Sequence, residues 1–477
     1  MRKVSFAIVI LLLSCACMQA QDEPYMTGLR PDDGRYDQLP RKAELLTRDY
    51  TVLPSKYSLM KYCPDVKSQS RYGTCTSWAS AYAARTIAEA VKYGWTDKVR
   101  INKEAFSPAF VYAQIKDMAD TNCQEGSLIS EALELMKRKG VCRYSSFDVL
   151  CASHVNSDLI NEASQYKIDD YFTLFSINFA DVDEKIRKVK KSLSEDCPVV
   201  IAMHLPRSFY DAKNVWSGID IDTRKHGYHA MCVIGYDDTI NGGSFQIMNS
   251  WGVGWGNNGF IWVRYQDFGR YVDQAYELYV KKRGVPYPEP KPEPKPEPKP
   301  VVLNNLSGEI VLQLATGEQM FPSFDQKNGS YKISGDFVSG TRYRIYITNN
   351  EPAYVYVIGS DLGNHVSKVF PPTDNISAAL TYKSNHIAIP DETYYVEMDN
   401  TTGTDYMCVL YSRDALDINS IVNKIKTSNG TFCDKVKSVI SDKVIPASAI
   451  HYTQENIGFN VMSERTIVPI IVEIDHK

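Results

Sequence analysis

The stretch QSRYGTCTSWASAYAARTIAEAVKYG, residues 69–94, decides the fold of the first half of the chain. Apolar residues recur in it at every fourth position, at Ala79, Ala83, Ile87 and Val91. This spacing predicts one apolar face of a helix, and Gly94 is a suitable stop. We therefore expect a helix that begins near Cys75 and ends at Gly94.

Cys75, at the start of this helix, is a candidate nucleophile for acyl transfer. The partial positive charge at a helix amino terminus stabilises a thiolate and so lowers the pKa of the cysteine. Gly73 allows a tight approach into the helix. Gln69, six residues before Cys75, can aim its side-chain amide at the carbonyl oxygen under attack. The backbone N–H of Cys75 would be the second oxyanion donor.

A candidate base and a residue to orient it occur later in the chain. His229, in KHGYHAMCVIGYDD, opens a strand-like run 154 residues after Cys75, and Asn249 follows it by 20 residues. Two strands joined by the turn DDTINGGS would place His229 beside Asn249, whose amide can hold the imidazole in the useful tautomer. Trp251 could cover that hydrogen bond from water. His226 is a rival base, but we interpret it as a solvated loop residue.

These pieces together resemble the papain family of cysteine peptidases, in its bacterial exported branch. The matching strings are Gln69, GTC ending at Cys75, HAM starting at His229 and NSWGVGWGNNGF starting at Asn249. The resemblance implies an α+β papain-like catalytic domain over residues 50–283, with a helical half and a sheet half. It also implies peptide hydrolysis through a thioester acyl-enzyme, with those four residues as oxyanion donor, nucleophile, base and orienter.

The same resemblance implies two substrate-binding positions. NCQEGSLISEAL, from residue 122, resembles the stretch whose glycine-containing backbone pairs with the substrate chain, which assigns Gly126 to substrate binding. Ala230 resembles a residue that lines the pocket for the second side chain upstream of the cut.

Several features depart from the family pattern. Tyr72 stands where a cysteine is usual, so Cys123 lacks its expected disulfide partner, and Thr76 replaces the tryptophan after the nucleophile. Arg71 and Tyr72 could alter the substrate entrance. About 30 residues separate the predicted leader from the catalytic region, too few for the long helical inhibitory propeptide of the plant and animal enzymes. Control of activity is therefore expected elsewhere, or is not needed.

The run PYPEPKPEPKPEPKP, residues 286–300, marks a domain boundary. Its prolines exclude a helix or a central strand and predict an extended spacer, which would hold two bodies roughly 45 Å apart. Beyond it, TRYRIYITNN, AYVYVIGSD and DYMCVLYS alternate with turn signals and predict a β-sandwich-like domain. That region resembles bacterial domains of uncharacterised function that accompany peptidases. The predicted division is a signal peptide (1–20), a short N-terminal segment (21–49), the peptidase domain (50–283), a Pro/Glu/Lys-rich linker (284–300) and a β-rich accessory domain (301–477).

The amino terminus predicts export. Arg2 and Lys3 precede an apolar stretch that is about half the roughly 20 residues of a membrane-spanning helix, and small residues follow it. A signal peptidase could cut after Ala20, or Cys15 could become a lipid-modified amino terminus and anchor the protein. The expected locations are secreted, periplasmic or associated with the cell envelope.

Composition limits the partners and cofactors. A net charge of -4 over 477 residues shows no nucleic-acid footprint, so protein or peptide substrates are the expected partners. The chain after the leader has no C-x-x-C or H-x(3–5)-H pair, so we expect no zinc site, and the mechanism requires no other cofactor. Nine cysteines remain after the leader, an odd number, so at least one thiol is free. Cys142 and Cys151 could staple a loop, but their spacing does not establish that pairing.

A second class of function remains open. The accessory domain and the altered residues beside Cys75 are also consistent with a catalytically latent, papain-like binding or adhesion protein. Such a protein would act through its C-terminal β domain, whose ligand the sequence does not identify.

Overall fold

The computed structural model describes residues 25–43, 53–218, 227–281, 304–361, 365–381, 387–390 and 394–477. The predicted signal peptide, Cys15, His226 and the proline-rich linker lie outside these ranges.

The helices of the first domain include one that begins at Cys75. They are α1 (Asp33–Tyr36), α2 (Cys75–Ser77), α3 (Thr86–Tyr93), α4 (Lys98–Lys103), α5 (Pro108–Ile115), α6 (Ile129–Arg138), α7 (Ser157–Ala163), α8 (Val182–Ser194) and α9 (Tyr265–Tyr271). A π-helical stretch, Trp78–Arg85, joins α2 to α3 into one continuous helix. Gly94 ends this helix in the left-handed conformation, with a φ of 66°. The predicted helix from residue 75 to 94 is therefore confirmed.

This helix is more deeply buried than its pattern indicates. Every residue from 74 to 90 is buried, although the sequence shows a single apolar face. The reason is that the helix lies in the middle of the domain, packed against α5 and α6 as well as a strand of the sheet. Its many alanines let these neighbours approach closely.

A buried ion network holds the far end of the same helix. Arg85 bonds Glu89 at 2.7 Å, and Arg143 lies 3.0 Å from Glu104. Both guanidinium groups lie over the ring of Phe106, at 4.3 and 4.4 Å from its centroid. Removing one partner from such a buried pair typically costs about 3–5 kcal/mol, because it leaves an uncompensated charge. The network thus fixes the position of the helix that begins at Cys75.

The sheet half of the domain follows the helices in sequence. Its strands are β1 (Lys56–Ser58), β2 (Asp170–Thr173), β3 (Val199–His204), β4 (Val215–Trp216), β5 (Tyr228–Asp237), β6 (Ser244–Met248), β7 (Phe260–Arg264) and β8 (Val272–Tyr279). They form one sheet in the order β2-β8-β3-β5-β6-β7-β4, with β1 added to β5. The predicted α+β class and the strands expected after residue 228 are confirmed.

The second domain is a sandwich of two sheets. Its strands are β9 (Asn304–Leu314), β10 (Gln319–Met320), β11 (Pro322–Asp325), β12 (Ser330–Phe337), β13 (Arg342–Asn349), β14 (Ala353–Ser360), β15 (Val366–Phe370), β16 (Ala379–Leu380), β17 (Ile387–Ile389), β18 (Val396–Glu397), β19 (Gly403–Ser412), β20 (His451–Tyr452), β21 (Ile457–Ser463) and β22 (Ile467–His476). One sheet has the order β17-β13-β9-β21-β20, with β10 and β18 at its margins. The other has the order β11-β12-β22-β19-β14-β15, with β16 added to β14. Side chains from both sheets share one apolar core, which confirms the β-sandwich-like prediction.

The second sheet of the sandwich is covered on its outer face as well. Two helices, α10 (Ile418–Thr427) and α11 (Phe432–Val439), pack there in a separate apolar cluster. Strands β14 and β19 therefore bury side chains on both faces, which explains their nearly continuous apolar sequences.

The two domains are in direct contact. Phe172 of β2 and Tyr279 of β8 belong to the same apolar cluster as Tyr354 of the sandwich, and the Tyr354 hydroxyl donates to Asp170 at 3.2 Å. The prediction that the spacer holds the domains apart is therefore wrong. Large aromatic side chains at the facing edges gain more by excluding water from one another than by remaining exposed.

Among the residues described, no helix combines the length and the apolar character needed to cross a membrane.

Candidate active site

Cys75 lies at the amino terminus of α2 and is fully buried. Its sulfur accepts the backbone N–H of Ala230 at 3.4 Å, and β5, which carries Ala230, packs against α2. The backbone N–H groups of Thr76 and Gly28 also face the sulfur. Cys75 is therefore surrounded by backbone donors from three parts of the chain.

His229 and Asn249 are joined by a hydrogen bond. The Nε2 atom of His229 lies 2.8 Å from the Oδ1 atom of Asn249, across the paired strands β5 and β6. The ring of Trp251 stacks on the imidazole, with centroids 4.6 Å apart, so it shields this bond from water as its position in the sequence indicated. Within the described residues the Nδ1 atom of His229 has no hydrogen-bond partner.

Gln69 is tied to the loop that carries Asn249. Its backbone N–H donates to the carbonyl of Ser250 at 2.8 Å, and the Ser250 hydroxyl donates to its Oε1 atom at 2.7 Å. Its amide nitrogen donates to the carbonyls of Tyr72 at 2.8 Å and Met26 at 3.1 Å. The side-chain amide is thus held in a fixed orientation and can donate to a carbonyl.

Residues 25–30 lie across this site. Tyr25 stacks on Trp251 with ring centroids 4.9 Å apart, and the indole N–H of Trp251 donates to the carbonyl of Met26 at 2.9 Å. Further along, Leu29 pairs with Tyr228, the residue before His229. The segment therefore occupies the space in front of the candidate catalytic residues and excludes water from them.

Gly28 fits this place because it has no side chain. A Cβ atom on Gly28 would lie 2.0 Å from the backbone oxygen of Gly73, two residues before Cys75. A Cβ atom on Gly126 would lie 2.3 Å from the backbone oxygen of Gly28. Three glycine backbones are therefore stacked at van der Waals contact, which no other residue type would permit.

Ser127 supplies the backbone pairing on the other side of the segment. Its N–H donates to the carbonyl of Gly28 at 2.9 Å, and its carbonyl accepts the N–H of Arg30 at 3.1 Å. The N–H of Gly126 is instead donated to the hydroxyl of Tyr112 at 3.0 Å. The sequence predicted that Gly126 would pair with an extended chain, but Ser127, the next residue, makes the backbone hydrogen bonds to the segment. Only its position next to Gly126 could have indicated Ser127 from the sequence.

The six predicted site residues therefore meet around one cleft. His229 bonds Asn249, Gln69 bonds Ser250, which follows Asn249, and the sulfur of Cys75 accepts from Ala230, which follows His229. Gly126 touches the segment in the cleft. The sequence did not predict that residues 25–30 would lie here. They carry no periodic pattern and no charged motif, so nothing in their composition indicates where they pack. Arg71 is exposed on the surface.

The family model described as papain family cysteine protease matches residues 54–279. Residues 54–279 belong to the papain family of cysteine proteases. A second match, over residues 336–415, is to a domain of unknown function, DUF4384.

Curated relatives share the papain-family domain at low identity. An uncharacterized peptidase C1-like protein of Acanthamoeba polyphaga mimivirus is 24% identical over 208 residues, covering 42% of this chain and 63% of its own length. A cysteine protease of Blomia tropicalis is 23% identical over 238 residues, covering 48% of this chain and 66% of its own. The chain thus spans less than two thirds of either relative.

Solved structures align with about half of the chain. Xylellain, a cysteine protease from Xylella fastidiosa, is 21% identical with a TM-score of 0.45, and the alignment covers 54% of this chain and 96% of that one. The bromelain protease from Ananas comosus, in complex with the E64 inhibitor, is 18% identical with a TM-score of 0.38, covering 48% of this chain and 100% of that one.

One disulfide braces the cleft wall of the papain-family domain. Cys123 pairs with Cys151, with an S–S distance of 2.01 Å and a sequence separation of 28. Cys123 therefore has a partner, although the usual one is replaced by Tyr72, and Cys142 is a free buried thiol. The bridge lies three residues before Gly126. Among the described residues of the whole chain, no group of three or more His, Cys, Asp or Glu side chains is placed to hold a metal ion.

Burial favours the neutral forms of both Cys75 and His229. Desolvation raises the pKa of the Cys75 thiol to about 12, against the smaller opposing effect of its backbone donors. Desolvation likewise lowers the pKa of His229 to about 4, although the Asn249 hydrogen bond favours the charged form. The covered papain-family site therefore holds a thiol and an imidazole rather than a thiolate and an imidazolium.

These shifts predict how closure of the cleft depends on pH. If the segment lifts, the two pKa values should return toward their ordinary values of about 8.5 for the thiol and 6.5 for the imidazole. A lowered His229 pKa stabilises the closed form above about pH 6.5, and this contribution is lost as the pH falls toward 4. A raised Cys75 pKa stabilises it below about pH 8.5, and this contribution is lost as the pH rises toward 12.

We therefore expect the amide protection factors of residues 25–30 to be highest between about pH 6.5 and 8.5 and to fall on both sides. Hydrogen exchange followed by mass spectrometry, corrected for the intrinsic exchange rate at each pH, measures this. The strands of the C-terminal sandwich serve as the internal control. A protection profile at residues 25–30 with the same pH dependence as those strands would contradict the expectation.

Proposed function

We propose that this protein is an exported cysteine peptidase that hydrolyses peptide bonds through a thioester acyl-enzyme, and that the described structure is its closed form. The observation that supports this proposal is that His229 bonds Asn249 while the neighbouring residues Ala230 and Ser250 bond Cys75 and Gln69, within a papain-family domain. The set of candidate residues is complete, which does not favour the alternative of a binding or adhesion protein with a vestigial site.

The proposed chemistry begins with proton transfer from Cys75 to His229, once the cleft is open. The thiolate attacks the peptide carbonyl carbon, and the carbonyl oxygen becomes an oxyanion that accepts from the Gln69 amide and the Cys75 backbone N–H. The imidazolium then gives its proton to the departing amine, which leaves as the C–N bond breaks. The product of this half-reaction is a thioester on Cys75 and a free amine.

The second half-reaction consumes water. His229 takes a proton from a water molecule, whose oxygen attacks the thioester carbon. The C–S bond breaks, the thiolate leaves, and the carboxylic acid product departs. Asn249, bonded to Nε2, keeps the imidazole oriented so that the other nitrogen, Nδ1, is free to exchange this proton. Whether the enzyme acts within chains or at their ends depends on how the cleft is bounded when it is open.

Export is proposed from the leader pattern alone. A free mature terminus after Ala20 and a lipid anchor at Cys15 both remain consistent with it. Treatment of the producing cells with a lipoprotein signal peptidase inhibitor, followed by mass spectrometry of the amino terminus, distinguishes them.

The test of the peptidase proposal is covalent labelling by a peptidyl epoxide under mild reducing conditions. We expect the label on Cys75 and on none of the other described cysteines that are outside the disulfide, which are Cys63, Cys142, Cys197, Cys232, Cys408 and Cys433. Mass spectrometry of the digested protein locates the adduct. Labelling that follows solvent exposure instead, at Cys197 or Cys433 in preference to Cys75, would count against an activated nucleophile.

The oxyanion role of Gln69 gives a separate prediction. Gln69→Glu keeps an oxygen to accept from the Ser250 hydroxyl but replaces the amide donor with a negative charge. Loss of one oxyanion donor typically lowers kcat by about 10²–10³-fold, and we expect KM for a peptide substrate to change much less. Steady-state kinetics on a variant with an open cleft measures both constants. A kcat within threefold of the parent value would exclude this role.

A further inference from the structure

The segment that closes the cleft has a second attachment, where the two domains meet. Arg41 lies between Thr173, at the end of β2 in the catalytic domain, and Ile376 in the C-terminal domain. It forms a parallel bridge with each of them. Residue 41 thus acts as a strand one residue long that connects the two domains.

The C-terminal domain forms hydrogen bonds with both backbone groups of Arg41. The Arg41 N–H donates to the carbonyl of Asn375 at 2.6 Å, and the Arg41 carbonyl accepts the N–H of Ser377 at 2.8 Å. Two residues on, Ala43 is 8% exposed and belongs to the apolar core of the sandwich. The end of the segment is therefore partly folded into the C-terminal domain.

The catalytic domain forms hydrogen bonds with the residues on either side of Arg41. The N–H of Thr173 donates to the carbonyl of Pro40 at 3.0 Å, and the N–H of Lys42 donates to the carbonyl of Thr173 at 2.9 Å. The Lys42 ammonium lies 2.6 Å from the carboxylate of Glu277. Bonds to the two domains thus alternate along residues 40–42, so neither domain can separate without breaking backbone bonds to the segment.

The rest of the segment follows a short path between the cleft and this attachment. Tyr36 of α1 is buried, and its hydroxyl bonds both backbone groups of Ala275 at 3.2 and 3.1 Å. The segment is thus held at the cleft, at Tyr36 and at Arg41. Because these points are close in sequence, loosening one end increases the freedom of the whole segment and weakens its contacts in the cleft.

The attachment belongs to a larger interface. The Lys281 ammonium lies 3.0 Å from the Asp414 carboxylate, and the hydroxyl of Tyr354 donates to Asp170 in β2, the strand that ends at Thr173. Withdrawal of the C-terminal domain would break these contacts together with the two backbone bonds of Arg41.

We infer that the C-terminal β domain anchors the N-terminal segment in the closed cleft and thereby controls access to Cys75. This inference rests on the proposed peptidase function. It gives the domain of unknown function a role within the chain: the sandwich binds residues 41–43, and anything that loosens that contact favours the open cleft.

The test uses the full chain with the anchor altered. Ala43→Asp places a carboxylate in the sandwich core, and Gln38→Asp, at an exposed position of the same segment, is the matched control. Arg41→Pro removes the N–H that bonds Asn375 without burying a charge, so it separates loss of the anchor from unfolding of the sandwich. Gly28→Ala, which displaces the segment at the cleft, is the reference for an open site. The readouts are the rate of Cys75 labelling by the peptidyl epoxide and the amide exchange of residues 25–30.

We expect both anchor variants to label about tenfold faster or more than the parent, since Arg41→Pro loses the backbone bond to Asn375 and Ala43→Asp buries an unpaired carboxylate. Residues 25–30 should exchange faster in both, and Gln38→Asp should match the parent. Parent-like labelling and exchange in both anchor variants, with fast labelling of Gly28→Ala, would overturn the anchor and leave the peptidase proposal intact. Faster exchange in the anchor variants without labelling of any variant would support the anchor and overturn the peptidase proposal.

Discussion

Replacing Cys75 with alanine abolishes peptide hydrolysis in a variant whose cleft is open. The expected loss is roughly 10⁴-fold or more in kcat, because no thioester can form and the remaining groups act only through binding and oxyanion stabilisation. The measurement compares Gly28→Ala with the double variant Gly28→Ala/Cys75→Ala on a fluorogenic peptide. Both proteins have the same open cleft, so the difference reports the thiol alone.

Cys142→Ala is the matched control for this experiment. Cys142 is also buried and free, but it is not among the candidate catalytic residues. We expect this variant to keep its turnover, with a small loss of stability from the shortened side chain. Hydrolysis that persists in the Cys75 variant would mean that another group carries the chemistry, and the peptidase assignment to this site would fail.

Replacing Gly28 with alanine accelerates the labelling of Cys75. The added methyl group would lie 2.0 Å from the backbone oxygen of Gly73, and backbone at that distance cannot give way without moving the helix entrance. The segment is the part that can move, since the helix carrying Cys75 is buried on all sides. A steric conflict of this kind typically costs about 1–3 kcal/mol, so we expect the labelling rate to rise by about tenfold to a hundredfold.

The control is the same substitution elsewhere in the segment. At Gly34 a Cβ atom would meet its nearest neighbour, the Asp32 carboxylate, at 4.0 Å, so Gly34→Ala has room and should label at the parent rate. Quenching the labelling reaction at a series of times and measuring the intact mass gives the labelling rate of both variants. Equal rates for the two variants and the parent would show that residues 25–30 do not limit access to the thiol.

The closed cleft also reconciles the two readings that the sequence left open. A complete set of candidate catalytic side chains and a latent protein are compatible, because the same residues can be present and covered. Residues 25–30 use the cleft much as an extended peptide would, with backbone bonds to Ser127 and an aromatic stack on Trp251. Their removal, by cleavage or by movement of the C-terminal domain, would expose groups that are already in position.

Much of the site could be predicted because its signals are local. The helix at Cys75 follows from apolar spacing and a terminal glycine, and His229 lies near Asn249 because β5 carries His229, β6 ends just before Asn249, and a short turn joins the two strands. Each of these inferences uses contacts between residues that are near in sequence or on neighbouring strands. The strands of the sandwich are predictable for the same reason, since each shows its own alternation of apolar and polar residues and is bounded by turn residues.

The remaining features join residues that are distant in sequence. Cys123 pairs with Cys151 in preference to Cys142, which is nearer to Cys151 in sequence, because the fold and not the spacing sets the distance between sulfurs. The spacer has an extended composition, yet the domains it joins are in contact, because composition describes the linker and not the complementarity of the surfaces at its ends.

The sequence by itself predicted the papain-like fold, a candidate set of residues for acyl transfer and the β-rich character of the second half. Each of these depends on hydrophobic period, turn chemistry and side-chain type, which are local properties of the chain. Only the tertiary structure decided that residues 25–30 fill the cleft and that Arg41 connects them to the sandwich. Those contacts are made mostly by backbone groups and by a glycine that fits because it has no side chain. Backbone groups are the same at every position of a sequence, so the sequence does not indicate which of them will pair.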